Sequence, residues 1–78
     1  MRPKPLTSGQ IRAARALLRW TAENLAQKAA LGLATVRRAE LAEDVTSLTV
    51  ANDLAVRRAL EVTLPPTFIQ PLLESDRR

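Results

Sequence analysis

The stretch from Thr21 to Glu40, TAENLAQKAALGLATVRRAE, restricts the possible folds of this chain more than any other. It reads as two short helices joined by a tight turn. Thr21 has a side chain suited to a helix N-cap, and Glu23 follows it, an acid favoured at the positive end of a helix dipole. Leu25, Ala26 and Ala29 fall at i, i+1 and i+4 and make one narrow apolar stripe. Ala26 matters through its size, since a second helix crosses closely only where side chains are small. The pattern breaks at Ala30, Leu31 and Gly32 and restarts at Leu33. Val36, Ala39 and Glu40 then share one face, while Arg37 and Arg38 project from another. Helices predicted over about Ala22 to Ala29 and Leu33 to Leu41 form a helix-turn-helix whose second member is short, exposed and basic.

The flanking sequence predicts further helices around this pair. MRPKP, with two prolines and two cations, reads as a flexible basic arm over residues 1–5. Thr7 and Gln10 have capping-box spacing, and Leu6 with Ile11 has the spacing of a hydrophobic staple. A first helix is expected from about Ser8 to Arg19, with Ile11, Ala14, Leu17 and Leu18 inward and Arg12, Arg15 and Arg19 largely outward. Trp20, the only tryptophan, is expected to fill the junction between the first two helices rather than to stack on a base. After a loop at Glu43 to Thr46, a fourth helix begins between Ser47 and Thr49 and ends near Val62. Its apolar face is ambiguous: Val50 and Leu54 suggest one stripe, Val56, Ala59 and Leu60 another. Pro65, Pro66 and Pro71 forbid a long regular helix beyond it. Phe68, Ile69, Leu72 and Leu73 make that irregular tail apolar, so it packs on the fourth helix, meets a partner chain, or both; a dimer contact is favoured. The expected organisation is a helical domain over residues 6–64 and an apolar, then charged, tail over 65–78.

Composition narrows the chemistry. With 78 residues the chain is expected to form one domain, near the lower size for closing a core without staples. It has neither cysteine nor histidine, which removes disulfides, thiolate nucleophiles and the common zinc sites, and is compatible with a cytoplasmic location. No apolar run approaches the roughly 20 residues of a membrane span, and MRPKPL lacks the apolar core of a signal peptide. No acid pair sits beside a candidate nucleophile, and Gly9 and Gly32 are too isolated to form a phosphate loop. Neither an enzyme nor a metal or cofactor site is expected. The charge is asymmetric: residues 1–38 carry eight basic side chains against one acid, a balance of +7, and residues 39–78 carry four against seven, a balance of −3. A cationic half is what a polyanion-binding surface requires, because each neutralised phosphate releases counterions.

ENLAQKA, then Leu31 as the buried apolar residue of the turn, then ATVRRAE, resemble the Cro/C1 (Xre-type) family of bacterial and phage DNA-binding repressors. The resemblance extends through IRAARALLRW and AVRRALE, roughly residues 6 to 62. It implies an all-α, compact four- to five-helix bundle of the lambda-repressor-like type, with Leu25, Ala26, Leu31, Val36 and Glu40 as its structural positions. Glu40 corresponds to the family's inward acid, which fastens the recognition helix to the body. The family's base-reading positions fall on Leu33, Ala34 and Arg38, with Arg37 gripping either base or phosphate and Thr35 near the flanking phosphates. Arg38 has the donors for guanine O6 and N7; Leu33 and Ala34 offer apolar contact to a thymine methyl. Lys28, Arg12 and Arg15 are expected phosphate contacts, as is the family's glutamine position, here Ala22. Two further departures are Ala30 where the turn usually holds glycine, costing about 1 kcal/mol if its φ is positive, and Gly32 where the recognition helix is usually capped by serine.

Two functions follow as expectations. One is a DNA-binding transcriptional regulator, a repressor or autoregulator, acting as a homodimer on an inverted-repeat operator in double-stranded DNA. The other is a protein-interaction module whose helix-turn-helix shell docks on another regulator as an antiactivator or antirepressor. The apolar Leu33 and the loss of glutamine at Ala22 suit the second; the cationic half suits the first. The bland alternative for Arg37 and Arg38 is a solvated face salt-linked to Glu40 or Glu43.

Overall fold

Three threonines set where the helices begin. In the computed structural model, which describes residues 5–64 and 70–72, Thr7 Oγ1 accepts from the Gln10 N–H at 3.1 Å while Gln10 Oε1 accepts from the Thr7 N–H at 2.9 Å. Thr21 and Asn24 make the same reciprocal box, at 3.0 and 2.9 Å, and Thr49 Oγ1 accepts from the Asn52 N–H at 3.1 Å. These caps satisfy N–H groups that a helix leaves without a partner in its first turn. They open α1 (Ser8–Leu18), α2 (Ala22–Ala29) and α4 (Val50–Glu61); α3 (Leu33–Leu41) begins at Gly32, without a side-chain cap. Residues 70–72 are also helical. Asn24 completes the second cap, while Glu23 lies in the first turn of the same helix.

Two helices end in the left-handed conformation. Arg19 has φ 58° and ψ 37°, and Ala30 has φ 58° and ψ 43°. In each case the next residue's N–H reaches back five positions, Trp20 to Arg15 O and Leu31 to Ala26 O, both at 2.9 Å. This is the Schellman closure, in which a glycine is usual because Cβ crowds the backbone at positive φ. Gly32 itself sits at φ −69°, so the strained turn position is Ala30.

α2 packs on both α3 and α4, and α1 packs on α3. Leu6, Ile11, Leu25, Val36, Val56 and Leu60 fill the centre, and the small Ala14, Ala26, Ala29, Ala39 and Ala59 are buried with them. The result is a small all-α bundle with a radius of gyration of 11.2 Å, near the roughly 11.5 Å expected for a compact chain of this length. α4 turns its Asp53, Val56, Ala59 and Leu60 face inward, leaving Val50 and Leu54 exposed, which resolves the ambiguity of its apolar face. Leu17 does not face inward as expected: it is 62% exposed, whereas Ile11 and Ala14 of the same helix are buried.

Leu6 is tied in from outside the helices. Its N–H donates to Asp53 Oδ2 at 2.9 Å and its carbonyl accepts from the Thr46 N–H at 3.0 Å. The Ser8 N–H donates to Asp44 O at 2.8 Å, and Thr7 and Val45 form an isolated antiparallel bridge. The loop between α3 and α4 thus runs beside the start of α1, and Arg57 balances the Asp53 charge with an ion pair one turn along α4.

Of the four apolar tail residues expected to make a contact, Leu72 lies within the described residues. Leu72 is half-buried against the chain's own core, and its carbonyl accepts from Gln10 Nε2 at 3.0 Å, so at this residue the tail packs on the chain itself. Leu64 also packs on the core. Phe68, Ile69 and Leu73 lie outside the described residues, as do residues 1–4 of the basic arm. Among the described residues, no helix is long and apolar enough to cross a membrane.

Candidate nucleic-acid interface

α3 owes its orientation to three residues at i, i+3 and i+4. Val36 and Ala39 are buried in the core, and Glu40 is 9% exposed. A buried carboxylate needs a partner, and Arg15 supplies one from α1: Nε donates to Oε2 at 2.8 Å and Nη2 to Oε1 at 2.9 Å. The same guanidinium donates through Nη1 to the Trp20 carbonyl at 2.9 Å. Arg12 Nη1 donates to the Glu40 carbonyl at 2.7 Å, and Ser8 Oγ to the Ala42 carbonyl at 2.7 Å. Carbonyls at a helix C-terminus lack intrahelical partners and carry the negative end of the dipole, so a cation and a hydroxyl from α1 suit them. α1 therefore grips the end of α3 at three points.

These links withdraw one expected phosphate contact, Arg15, and leave a second, Arg12, partly engaged. Arg15 is a structural cation, fully engaged by Glu40 and Trp20, with its side chain only 26% exposed. Arg12 remains at the surface but commits one guanidinium nitrogen to α3. Glu40 takes the fastening position that the family resemblance implies.

The opposite face of α3 is open. Ala34, Arg37, Arg38 and Leu41 are exposed. Ala34, Arg38 and Leu41 follow one another at i, i+4 and i+7 and so share a stripe. Arg38 makes no ion pair among the described residues and presents its guanidinium to solvent. Leu33, expected to face outward, is instead half-buried and packs against the core, since the first turn of α3 lies beside the preceding turn where Leu31 also packs. Leu31 is half-buried rather than fully enclosed, and Thr35 is half-buried. Leu25 and Ala26 are buried as expected.

Arg37 is paired, but not with Glu40 or Glu43. Its Nη2 lies 3.2 Å from Glu23 Oε2, joining the middle of α3 to the first turn of α2, with both side chains well exposed. The Glu23 carboxyl is held below its ordinary value, chiefly by the hydrogen bond from its own backbone N–H; desolvation opposes this, and the Arg37 charge and hydrogen bonds from Thr21 and Arg37 add to the lowering. Ala22 opens α2 half-buried against the core and brings no side-chain donor. Lys28, at the other end of α2, is exposed and holds its Nζ 5.9 Å from the centroid of the Trp20 ring, at the outer limit of a cation–π contact. Trp20 itself packs on the core, in keeping with its expected role at the α1–α2 junction.

Sequence inspection missed the Glu23–Arg37 and Arg15–Glu40 partnerships and the exposure of Leu41. The last was legible, since Leu41 stands three residues beyond Arg38 and so continues the stripe of Ala34 and Arg38. The ion pairs were not, because they span 14 and 25 residues and depend on how helices sit together. Among the described residues no group of three or more acidic side chains is gathered to hold a metal. In comparison with known proteins, no family model matches this chain, and no curated protein or solved structure is significantly similar to it.

Proposed function

We propose that this protein is a sequence-specific regulator of transcription of the Cro/C1 type, which binds double-stranded DNA by laying α3 in the major groove. One observation carries the proposal: α3 is anchored through Val36, Ala39 and Glu40 and turns Ala34, Arg37 and Arg38 to solvent. A groove-reading helix needs both properties, a rigid seat and an outward row of donors. Arg38 is the base-reading residue, with guanine O6 and N7 as its acceptors, and Ala34 offers its methyl to a thymine. Lys28 and one edge of Arg12 supply phosphate contacts, aided by the cationic balance of residues 1–38. A homodimer would place two copies of α3 in successive major grooves about 34 Å apart on an inverted repeat.

Selection of bound sequences from random duplex DNA tests this directly. The expected outcome is an enriched palindrome. Arg38→Ala should relax preference at one base pair per half-site, losing about 1–3 kcal/mol of discrimination there. Failure to enrich any sequence, together with affinity indifferent to salt, would reject the proposal.

A second reading, a module that binds another regulator, draws on different observations. Leu41 is 82% exposed on the same stripe as Arg38, Arg15 is withdrawn from the surface, and Arg37 is neutralised by Glu23. On that reading Leu41→Ser abolishes capture of a protein partner, whereas a DNA reader tolerates the change.

A further inference from the structure

Arg37 and Arg38 are adjacent in sequence, share the exposed side of α3, and differ in one respect. Arg38 is without an ion-pair partner among the described residues, whereas Arg37 is held by Glu23 across the turn. Glu23 is the only acid in the first 38 residues, so the single negative side chain of the cationic half touches the middle of the helix proposed to enter the groove. On a surface meant for a polyanion, such an acid opposes binding in two ways. It occupies a guanidinium nitrogen that a phosphate would otherwise take, and once displaced it stands unpaired near like charge.

We infer that Glu23 is a specificity-determining residue: it retains Arg37 in an internal ion pair and so withholds that cation from indiscriminate phosphate contact. The inference rests on the DNA-binding reading and adds a division of labour to it. Arg38 is available at first encounter. Arg37 is released only where the duplex offers more than a phosphate, such as the paired acceptors of a guanine. The pair suits such a switch because both side chains are solvated and an exposed ion pair is weak and screened by salt. A buried pair would never open; an absent one would let Arg37 add to binding at every sequence alike. The pair also bridges α2 and α3, so exchange of partner needs only side-chain rotation and no movement of the helices.

Four proteins and one control decide the matter: wild type, Glu23→Gln, Arg37→Ala and the double variant, each titrated with a mixed-sequence DNA duplex over a salt series and checked for folding by circular dichroism. Glu61→Gln, at the exposed last position of α4, makes the same change in net charge and serves as the control. Glu23→Gln should tighten non-specific binding by roughly two- to fivefold at low salt and steepen the log–log salt slope by about 0.9, one further phosphate neutralised. Arg37→Ala should weaken binding little in the wild-type background and markedly in the Glu23→Gln background. The inference is overturned if Glu23→Gln binds no tighter than Glu61→Gln, or if its gain survives undiminished in the double variant. In either case the wild type would still bind DNA with a salt-dependent affinity, and the DNA-binding reading would stand. If neither the wild type nor Glu23→Gln binds the duplex, both fall together.

Discussion

Ala30 occupies a conformation in which its methyl group crowds the following carbonyl, and it does so at the turn between the two motif helices. The closure it makes is a good one, with the Leu31 N–H bonded to Ala26 O, so the strain lies in the side chain rather than in a lost hydrogen bond. Ala30→Gly should therefore stabilise the protein by up to about 1 kcal/mol, after allowing for the greater freedom glycine has when unfolded. Thermal unfolding should show the midpoint rising by about 4–8 °C per kcal/mol for a domain of this size. No gain, or a loss, would mean that the positive φ is not a strained position. Arg19 has the same φ, but its replacement also removes a cation near the C-terminus of α1, so Ala30 is the cleaner probe.

Among elements, the seat of α3 on α1 decides whether the outward arginines are presented at all. Arg15 joins Glu40 by two hydrogen bonds and a third runs from Arg15 to Trp20, so one guanidinium holds together α1, α3 and the junction before α2. Glu40→Gln keeps the shape but leaves a positive charge half-enclosed without its counterion. A fully buried pair broken in this way costs about 3–5 kcal/mol; solvent reaches Arg15, so the loss here should be about 1–3 kcal/mol. Arg15→Lys should recover little, because an ammonium cannot address both carboxylate oxygens in the same fork. Urea unfolding followed by Trp20 fluorescence reads both changes. A wild-type midpoint in Glu40→Gln would show that the network does not anchor the helix.

For the molecule as a whole, the helices and their ends were legible in the sequence, while their partners were not. Caps at Thr7 and Thr21 and burial at Val36, Ala39 and Glu40 depend on residues within a turn of one another, so spacing alone reveals them. The inward direction of Leu17 and the outward direction of Leu33 were misjudged because periodicity gives the relative angle of side chains but not the arc a neighbouring helix covers. A small core also leaves little margin. Leu60 is fully buried, and Leu60→Ala should cost about 2–5 kcal/mol against a total stability of about 4–12 kcal/mol for a chain of this length. Leu17→Ala, at an exposed position, should fall within about 0.5 kcal/mol of wild type. Denaturant titration distinguishes the two, and equal losses would refute the assignment of core and surface.

The sequence by itself determined four short helices, the starts of the first three, the tight turn and the basic second motif helix, since each follows from interactions within a few residues. Only the tertiary structure decided that Arg15 belongs to Glu40, Arg37 to Glu23 and Asp53 to the N–H of Leu6, contacts separated by 25, 14 and 47 residues. Long charged side chains reach several ångströms from their backbone, so their partners depend on the mutual placement of whole helices, which no local spacing encodes.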